Sequence, residues 1–429
     1  RKLSATLKVS PMTVDLAYQQ LIAEGYVYSI EKSGYFVASQ INLELREPVQ
    51  RKEVEQTLKK TSGYPYEFRT NVVDTSLFPY ATWSKLARQV LSNYPSEMLN
   101  DVDPKGLYEL RLEISKYLEI YRGMKVDIDQ IIIGSGSTAL ISMIIELLGR
   151  HKHYAMENPG YQKMRKLFTG NGVKLSFVDL DFLGLDIKKL EALQADIVHI
   201  TPSHQFPSGI IMPIQRRIEL LNWANENDHR WIIEDDYDSE FRYLGKPIPA
   251  LQGLDHHEKI IYMNTFSKTL SPSFRMSYMV LPKRLMKASQ ELSSYHTCTV
   301  PLLEQYILAS FMKQGSFERH INRMKNLYKQ KIDIVLHEIN QHELFHIVNY
   351  EAGLHGAGEI YNKMPEQELI QKLKDEKIFI AGLSDFFVGK LMWSYPVLIL
   401  GYSGIPLDQL KSSIIYLIET IKKITPEGY

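Results

Sequence analysis

The feature that most constrains the fold is an alternation, from about Phe68 onward, of short apolar runs with segments of helical length. The apolar runs are rich in β-branched residues and comprise Gln130–Ile133, Ile197–Thr201, Trp231–Glu234 and Ile260–Met263. Strands that alternate with helices in this way are typical of a parallel sheet covered by helices. The pattern therefore predicts an α/β domain over residues 67–429, built on a central, mainly parallel sheet.

The first 39 residues predict a separate, smaller unit. Ser10 suits a helix N-cap, and Pro11 suits the first helical position, where a missing N–H is not needed. Two strand-like runs after Gly25, Tyr26–Ile30 and Tyr35–Val37, flank a polar turn. Helix, turn, helix and hairpin in this order indicate a winged helix-turn-helix, a DNA-binding motif. The second helix would bury an apolar stripe formed by Val14, Ala17, Tyr18, Leu21 and Ile22.

Residues 40–66 are rich in charged side chains and show little apolar periodicity, which predicts a linker. The chain starts at Arg1 without an initiator methionine, so we interpret the helix-turn-helix unit, residues 1–39, as lacking its N-terminal part. The predicted organisation is thus a DNA-binding unit, a linker and a large α/β domain.

Composition excludes several classes of protein. Fifty Lys and Arg balance fifty Asp and Glu, so no global charge favours nucleic acid or a membrane surface, and any DNA contact must be local. No apolar run reaches the ~20 residues that cross a bilayer. The one cysteine, Cys298, cannot form an internal disulfide, which favours a reducing compartment, the cytoplasm.

A lysine stands among hydroxyl residues just after one of the predicted strands. In "NTFSKTLSPSFRMSY", Lys268 follows Thr265 and Ser267 and precedes Arg275. A lysine amine becomes a good nucleophile toward an aldehyde when its pKa is lowered and its partner is held in place. The neighbouring hydroxyl and guanidinium groups are those that bind a phosphate dianion.

Three further segments could complete a site around this lysine. The stretch "IIIGSGSTAL" predicts a Gly/Ser loop that opens a helix, an anion site formed by Ser135, Gly136, Ser137 and Thr138. In "WIIEDDYDSEF", an apolar strand ends in carboxylates, so Asp235 could face a protonated ring nitrogen and Tyr237 a ring oxygen, although helix capping also explains such acids. In "ENPGY", Tyr161 could stack on an aromatic ligand or close a loop.

Taken together, these segments resemble the fold-type I pyridoxal-phosphate enzymes of the aminotransferase family. With the N-terminal unit and linker, nearly the whole chain is similar to the MocR/GabR group of bacterial transcriptional regulators, in the GntR family. The stretches that carry the resemblance are "LKVSPMTVDLAYQQLIAEGYV", "DPKGLYELRLEISKYL", "ENPGY", "TPSHQFPSG", "IIEDDYDSEF" and "TFSKTLSPSFRMSYMVLP". The resemblance implies a fold-type I domain with a small C-terminal α+β subdomain.

The resemblance implies a pyridoxal 5'-phosphate site centred on Lys268, which would carry the cofactor covalently. Asp235 would meet the pyridine nitrogen, Tyr237 the phenolic oxygen, and Tyr161 would stack on the ring. The phosphate would be held by Ser135, Gly136, Ser137, Thr265, Ser267 and Arg275. His204 or Gln205 would lie near the ring oxygen, and the sequence leaves open which of the two reaches it.

The resemblance also implies double-stranded promoter DNA as a partner, a small-molecule effector, and a head-to-tail homodimer. The candidate DNA-contact residues lie on the second helix, the turn before it and the hairpin tip: Lys8, Ser10, Met12, Thr13, Gln19, Lys32 and Ser33. The effector would be an amine, an amino acid or pyridoxal phosphate itself. It would act by binding two states of the protein differently.

One departure bears on the effector. Members that recognise a γ-amino acid carry an arginine near the C-terminus, where "LILGYSGIPLDQL" places Gly404. Loss of a bidentate guanidinium costs about 1.5–3 kcal/mol toward a carboxylate. This disfavours γ-aminobutyrate unless Lys163 or another cation substitutes. It favours an effector without that carboxylate, such as pyridoxal phosphate.

The sequence leaves open two alternatives to an amine-responsive regulator. The chain could be a working aminotransferase, since every group for the chemistry is present, or a pure cofactor sensor without transamination. The N-terminal unit favours regulation over enzymatic function. The HExxH pattern at His342–His346 resembles a zinc-protease motif but runs into a strand-like segment rather than a helix, so we expect no metal site there.

Overall fold

The computed structural model describes residues 2–38, 63–70, 72–245, 248–389 and 393–425. The chain divides into two compact units, residues 1–60 and 61–429. The predicted linker, residues 40–66, lies outside the described residues except for residues 63–66.

The first unit contains two helices followed by a hairpin: α1 (Lys2–Leu7), α2 (Pro11–Ala23), β1 (Val27–Ile30) and β2 (Gly34–Val37). The Ser10 hydroxyl accepts a hydrogen bond from the Thr13 backbone N–H at 3.1 Å, so α2 begins with the predicted cap. The two strands pair antiparallel, and the Tyr18 ring stacks on Tyr35 with centroids 4.5 Å apart. This stacking fixes the hairpin against α2.

The predicted apolar stripe of α2 is only partly covered in this unit. Val14, Tyr18 and Ile22 are half-buried, whereas Ala17 and Leu21 are exposed. The helical spacing of the stripe was therefore predicted correctly. The spacing alone does not show how much of the surface of α2 the rest of the unit buries.

The second unit alternates helices and strands. Its helices are α3 (Tyr80–Asn93), α4 (Tyr108–Arg122), α5 (Ser137–Leu148), α6 (Gln162–Gly170), α7 (Ile187–Ala192), α8 (Ile214–Asn225), α9 (Met286–Ser293), α10 (Leu302–Lys313), α11 (Ser316–Ile339), α12 (Glu366–Asp375) and α13 (Leu407–Ile424). Its strands are β3 (Tyr66–Glu67), β4 (Ile131–Gly134), β5 (His153–Asn158), β6 (Lys174–Asp181), β7 (Gly184–Leu185), β8 (Ile197–Ile200), β9 (Trp231–Asp236), β10 (Ile260–Thr265), β11 (Ser277–Val280), β12 (Phe345–Val348), β13 (His355–Ile360), β14 (Ile378–Phe379), β15 (Ala381–Gly382) and β16 (Val397–Gly401).

Eight of these strands form a central mixed sheet in the order β4-β11-β10-β9-β8-β5-β6-β7. The neighbours from β10 to β6 are parallel, whereas β11 and β7 run antiparallel to their neighbours. Every residue of β4, β8 and β11 is buried, because helices cover both faces of the sheet. The predicted α/β class and the mainly parallel sheet are confirmed.

A smaller α+β region follows along the chain. Its antiparallel sheet has the order β12-β13-β16-β15 and packs its apolar face against α11, α12 and α13 through one cluster of buried side chains. The segment with the HExxH pattern ends in β12, so His342 and His346 do not lie together on a helix. None of the helices described here combines the length and the apolar character that a membrane span requires.

Candidate functional site

A cavity of about 210 Å³ lies where several parallel strands of the central sheet end. Loops after β4, β5, β8, β9 and β10 all contribute side chains to it. The carboxyl ends of parallel strands meet at the same edge of a sheet, which is where α/β proteins bind ligands. The fold therefore brings together segments that are far apart in the sequence.

Lys268 lies inside this cavity, three residues after the end of β10, and is only 9% exposed. Burial lowers the pKa of its amine to about 8, although the carboxylates of Asp238 and Asp235 act in the opposite direction. An amine with this pKa is partly neutral near physiological pH. This is the state in which it attacks a carbonyl group.

One end of the cavity has the character of an anion site. Ser137, Thr265, Ser267 and Arg275 line it, and the Thr265 hydroxyl donates to the Ser267 hydroxyl at 2.8 Å. Helix α5 begins here, with its free N–H groups directed toward the loop. Hydroxyls, a guanidinium and a helix N-terminus together can neutralise a phosphate dianion.

Gly136 fits closely under Arg275 at this end. Its φ of +89° and ψ of 164° lie in a region that only glycine adopts readily. A Cβ at this position would lie 2.6 Å from Nη2 of Arg275. The Arg275 guanidinium also donates to the Ser135 carbonyl at 3.3 Å, so the loop backbone helps to orient it. Ser135 and Gly136 themselves are not among the side chains that line the cavity.

The other end of the cavity can recognise a flat, protonated ring. Asp235 lines it, and His199 Nε2 lies 3.3 Å from Asp235 Oδ2, which orients the carboxylate. Tyr161 also lines the cavity and packs edge-on against Phe206, with centroids 5.2 Å apart. These groups supply a counter-charge and an aromatic wall for a heterocycle.

Tyr237 lines the cavity, while His204 stands behind it. The His204 Nδ1 atom is 3.1 Å from the Tyr237 hydroxyl and 2.9 Å from Asp238 Oδ2. Burial, with the nearby Asp238 carboxylate, raises the pKa of Tyr237, so the phenol stays a hydrogen-bond donor. His204 therefore acts on a ligand through Tyr237 rather than by facing the cavity.

Gln205 is likewise turned away from the cavity. Its amide nitrogen donates to the Pro159 and Phe206 carbonyl oxygens, and its amide oxygen accepts from the Ser208 hydroxyl. The residue that faces the cavity in this segment is Phe206. The predicted polar contact from His204 or Gln205 is thus replaced by an aromatic one.

Among the residues of the cavity wall that sequence reasoning missed are Glu157, His199 and Phe206. Glu157 is 3% exposed, and its Oε2 accepts from the backbone and the hydroxyl of Thr201. Burial raises the pKa of this carboxyl group. His199 lies in the predicted strand Ile197–Thr201, so a search of strand ends for polar residues would have found it, whereas Glu157 lies in β5, a strand that the sequence analysis did not predict.

His204, Asp238 and His355 form a buried cluster behind the cavity, with one possible ligand atom from each within 4.8 Å of the others. The facing atoms of His204 and Asp238 are already joined by their hydrogen bond. The cluster borders the lysine, because its charges contribute to the shifted pKa values of both His355 and Lys268.

Gly404 lies outside the cavity, where a Cβ would meet the Val72 side chain. The strand before it, β16, has Val397 and Ile399 buried in an apolar cluster, and neither of them lines the cavity. Among the described residues that line the cavity, the cationic side chains are Lys163, Lys268 and Arg275. With Arg275 at the anion end, a second anionic group on a ligand would find Lys163, which is exposed.

These residues fit pyridoxal phosphate. The absence of a side chain at Gly136 lets the Arg275 guanidinium lie against the loop that opens α5, and the buried Glu157 Oε1 atom on the cavity wall has no hydrogen-bond partner of its own. Hydroxyls and a guanidinium at one end, a carboxylate at the other and an amine between them match a phosphate, a pyridine nitrogen and an aldehyde. When bound, this cofactor acts as an electron sink for carbanions.

The lowered pKa of Lys268 predicts a pH dependence for covalent attachment. We expect the rate at which pyridoxal phosphate attaches to the apoprotein to rise with pH and level off above about 8, because only the neutral amine reacts. Stopped-flow absorbance would measure it. The reaction of pyridoxal phosphate with free Nα-acetyl-lysine in the same buffers controls for ionisation of the cofactor. Its rate should keep rising up to a pH of ~10.4, the ordinary pKa of a lysine amine. The Asp238 carboxylate raises the pKa of Lys268, so Asp238→Asn should lower the pH at which the attachment rate reaches half its maximum. A midpoint equal to that of the free amine would contradict the assignment.

Comparison with known proteins yields the same family for most of this unit. Residues 76–390 match the family model "Aminotransferase class I and II". A multiple substrate aminotransferase from Thermococcus profundus superposes with a TM-score of 0.75 and 25% identity, over 85% of this chain and 92% of that one. The match confirms the fold-type I aminotransferase fold expected from the sequence.

Relatives that match most of the chain are regulators. The HTH-type transcriptional regulator YdeL of Bacillus subtilis is 39% identical over 394 residues, covering 90% of this chain and 84% of the relative. The HTH-type pyridoxine biosynthesis transcriptional regulator PdxR of Corynebacterium glutamicum is 28% identical over 389 residues, covering 91% and 83%. The similarity therefore extends across both units.

Proposed function

Because this chain belongs to the HTH-type transcriptional regulators of the MocR kind, which carry an aminotransferase class I and II domain, we propose that its large unit binds pyridoxal phosphate and an effector to control DNA binding by the small unit. The observation that carries the proposal is that one cavity is lined by the Lys268 amine, the hydroxyl and guanidinium groups of an anion site, and the Asp235 carboxylate. A plain aminotransferase needs no helix-turn-helix unit.

The small unit supports a DNA-binding role. Its second helix is capped by Ser10. Met12, Thr13 and Gln19 on this helix are exposed. Lys8, in the turn before this helix, and Lys32, in the turn between the two strands of the hairpin, are exposed as well. We propose that α2 enters the major groove and that the lysines contact phosphates. The proposed contact residues are Lys8, Ser10, Met12, Thr13, Gln19, Lys32 and Ser33, with Ser10 contributing mainly through its cap.

Electrophoretic mobility shift with the DNA upstream of its own gene tests this role. We expect retardation that weakens steeply with salt, and we expect Lys32→Gln to reduce the slope of log K against log salt by about one phosphate contact, roughly 0.9. Lys313→Gln, at an exposed position on α10, is the matched control and should leave the slope unchanged. Absence of retardation with and without cofactor would contradict the proposal. Steady transamination at enzyme-like rates would favour the enzymatic alternative.

The effector that we propose is a small amine or pyridoxal phosphate itself. In support, Lys163 is the remaining cation on the described cavity wall once Lys268 and Arg275 are assigned, and it is exposed to solvent, which weakens any ion pair. A γ-amino acid would therefore lack the bidentate partner it needs, so γ-aminobutyrate is disfavoured.

Titration of DNA binding with pyridoxal phosphate decides between the two kinds of effector. If the cofactor is the signal, affinity or footprint changes as the site fills, with occupancy followed by absorbance. Unchanged DNA binding at full occupancy ends that idea and leaves an amine, which can then be screened against the holoprotein. The midpoint of the titration gives the cofactor concentration that the protein senses.

We further propose that the protein acts in the cytoplasm as a head-to-tail homodimer, as the MocR/GabR resemblance implies. Two half-sites on the operator would then mirror the two-fold symmetry of the protein. Sedimentation equilibrium of the full chain tests the dimer, and a monomer at micromolar concentration would contradict it.

A further inference from the structure

A second cavity of about 180 Å³ lies in the large unit, away from Lys268. It is enclosed by the last turn of α4, the first half of α11 and the loop that follows β9. This is far more than the ~15 Å³ that a single water needs. Charged side chains from α4, α8, α11 and the loop after β9 contribute to its wall.

Buried polar atoms without partners concentrate around this cavity. Among the described residues, the following fully buried atoms have no hydrogen-bond partner and belong to side chains of its wall: Arg122 Nε, Ser239 Oγ, Glu240 Oε2, Arg242 Nε and Glu318 Oε2. Such atoms are rare in proteins because each one left unsatisfied costs free energy. Five such atoms on the side chains of one wall indicate that the protein itself leaves this region short of polar partners.

The charged side chains of the wall are Arg122, Arg217, Arg242, Lys325, Glu240 and Glu318, and the Arg217 guanidinium donates to three backbone carbonyl oxygens. In the part of the chain that the structure describes, Arg242, Lys325, Glu240 and Glu318 form no ion pair with a protein group. Burial, with repulsion from Asp236, raises the pKa of Glu240 to about 7, so a neighbouring cation would be needed to keep it fully ionised. With Arg217 committed to backbone carbonyl oxygens, Arg242 and Lys325 and the carboxyl groups of Glu240 and Glu318 are complementary to a molecule that carries both charges.

Arg122 has a different role in the wall. Its Nη2 lies 2.6 Å from Asp236 Oδ2 and 2.9 Å from the Ser203 hydroxyl, in a pair that is almost completely buried. Arg122 is therefore committed to holding the end of β9. The net charge available to a ligand comes from the four unpaired groups.

We propose that this cavity is a second ligand site, which binds a small zwitterionic amino acid with its carboxylate toward Arg242 and Lys325 and its ammonium group toward Glu240 and Glu318. The site is separate from the cofactor cavity, and the proposal holds whether or not the chain regulates transcription. The two cavities share one segment, since Asp235 and Tyr237 line the first and Ser239, Glu240 and Arg242 line the second. A ligand in the second cavity can thus influence the first.

The test must separate this site from the cofactor. Holoprotein reduced with borohydride has its cofactor fixed on Lys268, so an amino acid cannot exchange there. Isothermal titration calorimetry with glycine, β-alanine and 4-aminobutanoate then varies the distance between the two charges. We expect at least one of them to bind with one site per chain, and we expect propylamine and propanoate, which carry one charge each, to bind at least tenfold more weakly.

Substitutions assign the binding to this cavity. Glu240→Gln keeps the shape of the side chain, and Lys325→Gln changes a half-buried position on the surface of α11, so both variants should fold. Each should weaken the zwitterion at least tenfold while leaving the absorbance of the reduced cofactor unchanged. Lys329→Gln, one turn further along α11 and exposed, is the matched control and should bind as the unchanged protein does.

Three results would overturn the proposal. The first is an absence of binding heat for all three amino acids at ~10 mM, ten times a Kd of about 1 mM. The second is binding that both Glu240→Gln and Lys325→Gln leave unchanged. The third is equally tight binding of a singly charged analogue. Failure to take up pyridoxal phosphate would be seen by absorbance before the titration, so it is distinguishable from all three.

Discussion

Replacing Lys268 with alanine is expected to abolish covalent attachment of pyridoxal phosphate. The amine lines the same cavity as the anion-site residues and Asp235, and burial lowers its pKa to about 8, so we expect it to be the amine that reacts. The phosphate and ring contacts do not depend on Lys268. The variant should therefore still bind the cofactor reversibly, and dialysis should remove it.

The measurement is borohydride reduction followed by denaturation, absorbance and peptide mass spectrometry. In the unchanged protein the modified peptide should contain Lys268, and in the variant no peptide should carry the cofactor. Lys163→Ala is the matched control, since Lys163 is the other lysine on the described cavity wall, and it should keep the full covalent signal. A Lys268→Ala protein that retains the chromophore after denaturation would overturn the interpretation of the whole cavity.

The part of this site that sequence predicts is the part determined by position along a strand. Asp235 lies at the end of β9, Tyr237 follows β9, and Lys268 follows β10, so the rule that parallel strands end at one edge brings them together. The cap at Ser10 was predictable for a similar reason, because it depends on residues three positions apart. Local patterns and one topological rule thus account for most of the cavity.

The remaining features depend on contacts that no local pattern encodes. His204 and Gln205 are adjacent polar residues, and the sequence cannot tell that Phe206 is the one facing the cavity. The backbone at this point turns both polar side chains toward internal partners, Asp238 and the Pro159 carbonyl. A choice between neighbours is settled only when the tertiary hydrogen bonds are known.

The second cavity shows the same limit more strongly. Its wall joins Arg122 on α4, Glu240 after β9 and Lys325 on α11. These positions are 118 and 85 residues apart along the chain, and each is unremarkable in its own segment. On a helix surface, a lysine is ordinarily solvated. Only the convergence of unpartnered atoms in three dimensions distinguishes these residues.

Replacing Gly136 with alanine is expected to weaken pyridoxal phosphate binding by roughly ten- to a hundredfold. The added Cβ would lie 2.6 Å from Arg275 Nη2, and the guanidinium, as the end of a flexible side chain, would move away. A lost charged hydrogen bond to the phosphate costs about 1.5–3 kcal/mol, and 1.4 kcal/mol is a factor of ten. The backbone strain adds ~1–3 kcal/mol to the loss of stability. Absorbance titration of the apoprotein measures the affinity, and thermal unfolding measures the stability.

Gly172→Ala separates the two effects of this substitution. Gly172 also has a positive φ, +76°, but nothing lies within 4 Å of the position of its Cβ. It should therefore lose stability without losing cofactor affinity, whereas Gly136→Ala should lose both. If both variants bind pyridoxal phosphate as tightly as the unchanged protein, Arg275 does not hold the phosphate. In that case the hydroxyls of Ser137, Thr265 and Ser267 and the N-terminus of α5 would have to hold the anion. Arg275→Gln would then leave pyridoxal phosphate binding intact.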